Sequence, residues 1–266
     1  MKLLKILAVV IIIIIASIVV IHYFNIGNSN ISPANNVTYT QTHYDNVYGN
    51  SSADVYKYTS TKPGKKFAFI LGVHPYEWEA HKAFNDSISQ FSSSPDFKGE
   101  IDVYWVHVPS QEGELYVEGR DTGERSVEAF TVPLIIKEHY DAVFDIHSSM
   151  EGYPYKGGPK WYFLKANTTG SENLAKNLSE ELSWAPTLEE KNFDQKYQGY
   201  DPYYERVMNP IANSGIPTVL LEWGWCKPET LWQEQRIIDL NATDPGEYED
   251  KLQKATMFLQ KLETLN

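Results

Sequence analysis

Phe67-Ala-Phe-Ile-Leu-Gly-Val-His-Pro-Tyr-Glu-Trp-Glu-Ala80 is the stretch whose reading decides the fold. Phe67 to Leu71 is an uninterrupted apolar run of strand length, closed by Gly72, as in a buried strand. His74 precedes Pro75, so its backbone is driven towards an extended conformation, and Pro75 suits a first helical position. The spacing predicts a buried strand, a turn at Gly72 and a helix reaching about Phe91. His74 and Glu77 then face the crevice beyond the strand's carboxyl end, where open α/β sheets hold their ligands. An imidazole and a carboxylate three residues apart are a workable pair of zinc ligands. His-x-x-Glu is short enough to arise by chance, so its meaning depends on what surrounds it.

Before this stretch, Val55 to Ser60 reads as a short edge strand. After it, Ile101 to Val108 is a second strand, and a Gly- and Glu-rich loop runs from Ser110 to about Arg125. Val127 to Tyr140 has helical spacing despite Pro133. Ala142 to His147 is a third strand, and Trp161 to Lys165 a fourth. Ser171 to Trp184 is a helix capped by Ser171, with Leu174, Leu178 and Leu182 on one face. Residues 185–205 form a long loop with clustered tyrosines. Pro217 to Trp223 is another strand, and Tyr248 to Leu265 a closing helix. Strands alternating with helices imply an α/β fold, with a mixed, largely parallel central sheet and helices on both faces.

At the amino end, Lys2 and Lys5 precede an apolar run from Ile6 to Ile21, which, counted from Leu3, is close to the roughly 20 residues that span a bilayer. A signal peptide shares the charged start but has a shorter apolar core and a small-x-small cleavage site, which Ile21-His22-Tyr23-Phe24 does not offer. Residues 1–24 are therefore expected to form an uncleaved, single-pass membrane anchor whose helix meets the lipid bilayer. The lysines place its start in the cytoplasm and the rest outside. Residues 25–50, rich in Asn, Ser and Thr, read as a flexible stalk. Residues 51–266 fit one α/β domain. Seven Asn-x-Ser/Thr sequons, at Asn30, Asn36, Asn50, Asn85, Asn167, Asn177 and Asn241, agree with an extracytoplasmic, glycosylated domain. Cys226 is the only cysteine, so no internal disulfide forms, and it reads as a small buried hydrophobe. The net charge of −12 argues against nucleic acid or anionic lipid as a partner.

Three more groups lie at or near strand ends. In Phe144-Asp-Ile-His-Ser-Ser149, Asp145 and His147 are two apart and share a face of the strand. His147 supplies a third zinc ligand, and Asp145 a carboxylate to orient a ligand imidazole. A lone histidine there is more often a hydrogen-bonded core residue. Glu222 ends the apolar run Pro217-Thr-Val-Leu-Leu, where a carboxylate is costly to bury without a role or partner. It suits a general base, and an ion pair with arginine is the plainer reading. Glu118-Gly-Arg-Asp-Thr-Gly-Glu-Arg125 carries two arginines able to grip a carboxylate and polarise a carbonyl, or else forms a solvated charge run.

Taken in order, Gly72-Val-His74-Pro-Tyr-Glu77, the arginine loop, Asp145-Ile-His147-Ser148 and Glu222 resemble the zinc carboxypeptidase superfamily. Within it they resemble the succinylglutamate desuccinylase/aspartoacylase branch. The resemblance spans about residues 65–225. It implies that His74, Glu77 and His147 bind one zinc per chain, that Glu222 is the catalytic base, that Arg120 helps the oxyanion and that Arg125 grips a substrate carboxylate. The loop departs from the family pattern at Glu124, where Asn usually stands beside the arginine. Tyr197, Tyr200, Tyr203 and Tyr204 could lie over the site, although packing is the simpler reading. His22, His43, His81, His107 and His139 fit no ligand position.

The implied reaction is amide hydrolysis of a peptide, including peptides of cell-wall or surface material. A small N-acyl amino acid is the alternative substrate. A catalytically inactive surface domain is the rival from another class. The residues after Glu222 are too few for both a closing helix and the extra β-domain that narrows access in the aspartoacylase branch, so an open cleft is expected.

Overall fold

The computed structural model describes residues 36–109, 116–150, 155–189, 203–226 and 245–262. The expected anchor, the start of the stalk, Tyr197, Tyr200, Asn30, Asn241 and the side chain of Cys226 lie outside the described residues. Among those described, no helix is long and apolar enough to cross a membrane.

The central stretch folds as its sequence dictates. Strand β3 spans Lys66–Leu71, and every side chain from Phe67 to Leu71 is buried. Gly72 follows with φ +84°, a conformation that a side chain disfavours. His74 is extended, with φ −115° and ψ 111°, and Pro75 opens a single 3-10 turn, Pro75–Glu77. Helix α1, Trp78–Ser92, continues directly from it.

Seven strands make one sheet in the order β1-β2-β4-β3-β5-β7-β6. The others are β1 (Val37–Tyr48), β2 (Ser51–Ser60), β4 (Glu100–His107), β5 (Ala142–Met150), β6 (Trp161–Lys165) and β7 (Thr218–Cys226). Strands β4, β3, β5 and β7 run parallel, while β1, β2 and β6 pair antiparallel at the flanks. The sheet is therefore mixed, and its parallel part lies at the centre. The chain leaves β3 for β4 on one side and later enters β5 on the other. That reversal opens a crevice beyond the carboxyl end of β3.

Alternation along the central strands feeds two apolar layers. Phe67, Phe69, Leu71, Phe144, Ile146, Leu221 and Trp223 pack with residues of α1, α4 (Thr169–Glu181) and α6 (Pro245–Leu262). Ala68, Ile70, Val143 and Leu220 face the other way, towards Val127, Val132, Ile135, Val207 and Ile211. Helix α2 (Tyr116–Ser126) leads into that second layer, which comes from a π turn at Val127–Thr131, α3 (Val132–Glu138), a π turn at Tyr204–Met208 and α5 (Asn209–Asn213).

Four expectations need correction. Residues 37–48 are not stalk but the edge strand β1, which pairs with β2 from Val37↔Ser60 to Tyr48↔Ser51. Most of its side chains are exposed, while Val37 and Val47 near its two ends are half-buried against the two apolar layers. Strand β2 is consequently an interior strand. Most of the expected arginine loop is helix α2. Finally, α4 is capped by Thr168, whose side chain accepts from the Ser171 N–H, so Ser171 lies inside the first turn.

Candidate metal centre

Parallel pairing brings the expected ligands together. Asp145 and His147 lie on the face of β5 that also presents Val143, and Glu222 shares that face on β7, opposite His147 in the strand register. Beyond Glu222 the pairing jumps from His147↔Glu222 to Ser149↔Trp225. The extra residue makes a bulge, with Gly224 at φ +78°.

Three ligand atoms converge. His74 Nδ1 is 2.9 Å from Glu77 Oε1. His147 Nδ1 is 3.1 Å from His74 Nδ1 and 3.1 Å from Glu77 Oε2. All three side chains are buried, and they form the one such group among the described residues. Tetrahedral zinc with bonds of about 2.0–2.1 Å needs ligand atoms roughly 3.3 Å apart, close to what these residues present. Two His and one Glu are also a known donor set for catalytic zinc. One lone pair of Glu222 answers the same test, because its buried Oε2 has no hydrogen-bond partner among the described residues. The residues fit the ion.

The outer ring nitrogens meet carboxylates. His147 Nε2 lies 3.3 Å from Asp145 Oδ1, within ion-pair reach but off line for a hydrogen bond. Tyr203 donates its hydroxyl to the other oxygen, Asp145 Oδ2, and its ring stands edge-on to His147 at 5.3 Å. His74 Nε2 lies 3.4 Å from Glu124 Oε1. Glu77 also accepts from the Ser148 backbone N–H at 2.9 Å, and Ser148 Oγ donates to the Trp223 carbonyl at 3.0 Å. Each imidazole thus has a carboxylate at its far nitrogen, which favours N–H there and a bare Nδ1 towards the centre.

Electrostatics follow from burial. Desolvation, helped by the charge of Glu77, pushes the Glu222 carboxyl up to about 8, while His147 and Arg120 pull it back. Burial also works against charge on His147, but Asp145 and Glu77 outweigh it and hold that imidazole well above its usual range. For Glu77 burial is likewise overcome, by His74 and His147, so its carboxyl falls well below the ordinary range. His81 is different: burial pushes it down to about 4, and its Nε2 donates to the Ile146 carbonyl at 3.0 Å. It is a neutral structural histidine.

The arginines divide. Arg120 reaches the centre: its charge acts on Glu222, and its Nε donates to Glu124 Oε1 at 2.9 Å. Arg125 does not. Its half-exposed side chain lies 3.7 Å from Asp121 and 3.7 Å from Glu128 along its own helical stretch, with no contact to the ligands among the described residues. Arg206 stands there instead, donating from Nη2 to Glu124 Oε2 at 2.9 Å. Glu124, Arg206 and Tyr203 are therefore site residues that the sequence reading did not assign, and packing alone does not describe Tyr203. Arg120/Glu124 and Asp121/Arg125 at i,i+4 were a readable sign of helix. Nothing local marks Arg206.

Helix α2 reaches His74 through a backbone contact. A Cβ built on Gly123 would lie 1.7 Å from the Val73 carbonyl oxygen, so only glycine lets the helix pack onto the turn that bears His74. Glu124 then falls beside His74.

No protein-family model matches the chain, and no curated protein does. Solved structures do. A metallo-carboxypeptidase from Pseudomonas aeruginosa, in complex with (2-guanidinoethylmercapto)succinic acid, aligns at TM-score 0.54 and 14% identity, over 87% of this chain and 65% of that one. The LapA protein of Legionella pneumophila aligns at TM-score 0.52 and 11% identity, over 85% of this chain and 61% of that one. A succinylglutamate desuccinylase/aspartoacylase from Rhodobacter sphaeroides aligns at TM-score 0.46 and 9% identity, over 88% and 67%. The chain spans less than two thirds of the first two proteins. It has the metallo-carboxypeptidase fold, as its four motif segments imply.

Proposed function

We propose that this protein is a zinc-dependent amide hydrolase acting on peptides, with His74, Glu77 and His147 holding one zinc. The observation that carries this is the convergence of three buried ligand atoms on a crevice that also holds Glu222, whose Oε2 has no hydrogen-bond partner among the described residues. When bound, zinc supplies a Lewis acid for the scissile carbonyl and lowers the pKa of water. The chain supplies the rest. Glu222 takes a proton from the attacking water and returns it to the leaving amine. Arg120 steadies charge on the carbonyl oxygen. Asp145 and Glu124 hold the imidazoles in register, and Tyr203 holds Asp145.

Residues 1–24, with Lys2 and Lys5 ahead of the apolar run, support a membrane anchor with the domain outside the cell. The sequons support glycosylation there. On this reading the substrates are wall or surface peptides.

The test is metal content and hydrolysis together. The purified domain should hold about one zinc, His147→Ala should lose it, and Glu222→Gln should keep zinc while turnover falls by about 10²–10⁴-fold. Equal zinc in the parent and in His147→Ala would remove His147 from the site. Preference for N-acyl amino acids with longer peptides refused would transfer the chain to the deacylase reading. Full zinc with no hydrolysis of either class would favour a binding domain.

A further inference from the structure

We infer that Ser149 and Trp225 form a subsite for a second backbone carbonyl of the substrate, so that the site recognises an extended peptide rather than a small acyl amino acid. This deepens the amide-hydrolase reading above and rests on it.

The two residues stand one step beyond His147 and Glu222 on adjacent strands. Ser149 follows His147 by two on β5 and so shares its face. The register pairs Ser149 with Trp225, as it pairs His147 with Glu222. Neighbouring strands lie about 4.8 Å apart, which sets the two side chains next to each other. The bulge in β7 is what aims the indole. Trp223 packs into the layer of α6. A Cβ on Gly224 would point the same way, 2.8 Å from Lys251 Cε and 3.0 Å from the Trp161 ring. Trp225 therefore faces the opposite layer, with Glu222 and Ser149. Without the extra residue, a side chain three positions after Glu222 would fall on the wrong face.

Both residues carry a donor that the fold leaves unused. Ser149 is 5% exposed. Its Oγ and the Trp225 Nε1 are buried, and neither has a hydrogen-bond partner among the described residues. Buried donors are ordinarily paired, because an unmade bond costs free energy. An indole N–H can only donate, and the serine hydroxyl can donate beside it. The pair therefore suits an acceptor brought by a substrate, and a carbonyl oxygen has two lone pairs to take both. The indole is held ready: Lys160 Nζ lies 5.6 Å from its ring centroid, and Lys251 donates to the Trp225 carbonyl at 2.9 Å. Spacing identifies the carbonyl. Ser149 lies roughly 6.6 Å beyond His147 along β5, and an extended peptide repeats the direction of its carbonyls every second residue at that same interval. With the scissile carbonyl at the ligand set, the acceptor is the carbonyl two residues away.

The probes are acetyl-Ala-Ala-Ala-Ala-amide, in which every carbonyl has another two residues away, and acetyl-Ala-amide, in which none has. Their Kd values are measured by calorimetry on the full zinc-loaded chain carrying Glu222→Gln, and their kcat/KM values on the parent enzyme. Ser149→Ala and Trp225→Phe, added to each background and checked for zinc, should each weaken the longer peptide about three- to tenfold. Acetyl-Ala-amide should be unaffected. Ser149→Ala should also leave the thermal midpoint level or raise it, since it removes a donor that the fold does not pair. An unchanged ratio between the two peptides in either variant would overturn the inference, and the donors would then serve bound water only. An equal loss for both peptides would overturn it too, as would binding of neither. So would a midpoint lowered by about 2–4 °C in Ser149→Ala, the mark of a bond made within the fold. If the binding ratio moves as expected while the parent enzyme cuts neither peptide, the hydrolase reading falls and the subsite stands.

Discussion

Gly123→Ala should disable the site without removing any of its groups. The new Cβ would stand 1.7 Å from the Val73 carbonyl oxygen and 2.8 Å from its carbon, where ordinary contact begins near 3.4 Å. Helix α2 and the turn at Val73 must therefore separate by about 1.7 Å (3.4 − 1.7). Glu124 and His74, already 3.4 Å apart, would lose each other, and Arg120 would move with the helix. Overpacking of this kind costs about 1–3 kcal/mol. In a domain of this size that lowers the thermal midpoint by about 2–4 °C per kcal/mol. Displacement by an ångström or more near the reacting atoms costs on the order of 10²-fold in rate. Gly119→Ala is the control, one turn away on the same helix. Its Cβ would meet only Pro75 Cγ at 3.7 Å, an ordinary contact. An interior helical Gly→Ala change should then be neutral or stabilise by up to about 1 kcal/mol. Thermal midpoints, zinc affinity and kcat/KM of the two variants are compared side by side. If Gly123→Ala matched Gly119→Ala in all three, the contact between α2 and the His74 turn would not be what places Glu124.

Two further outcomes can be measured by urea unfolding. Lys251 is fully buried and donates to Glu79 Oε2 and the Trp225 carbonyl, each at 2.9 Å, so Lys251→Met should cost about 3 kcal/mol, the low end for a broken buried pair because Glu79 is partly exposed. Adding Glu79→Gln should recover part of that loss; no change in the midpoint of the single variant would dismiss the pair as a stabilising feature. His81 has a folded pKa depressed to about 4 from 6.5, so the unfolded chain binds the extra proton between those values, and its contribution is complete above pH 6.5 and lost as pH falls towards 4. The loss is on the order of 3 kcal/mol; His81→Gln, which can still donate to Ile146, should flatten the slope, and an unaltered slope would assign the acid sensitivity elsewhere.

The parts of this molecule legible in the sequence are those where one local rule decides. An apolar run closed by Gly72 can only be a strand with a turn, and His74-Pro75 can hardly be anything but an extended residue before a helix. Period two placed Asp145 and His147 on one face of β5. Helix α2 reads as a loop because Gly119 and Gly123 are poor helix formers, and the reason for Gly123 lies in its close approach to Val73. Strand β1 reads as stalk because an exposed edge strand of Thr, Gln and Tyr shows no buried alternation. Glu124 and Arg206 escaped for a different reason. Their roles exist only where α2 and the π turn before α5 approach β3 from separate parts of the chain.

Strand β1 also determines how force reaches the domain. Whatever precedes Val37 is covalently joined to the outermost strand, and β1 is held by its ladder with β2, by Val37 and Val47 at its ends, by His43 on Asp54, and by Tyr39 on Tyr58 and Tyr44 on Phe130. Strands β2 and β4 stand between it and β3. Tension on the amino-terminal segment would be borne first by that ladder, which can peel while the ladder joining β3, β5 and β7 stays closed. The edge strand thus acts as a mechanical fuse: a pulled domain would lengthen at its margin before the distance between His147 and Glu222 changed.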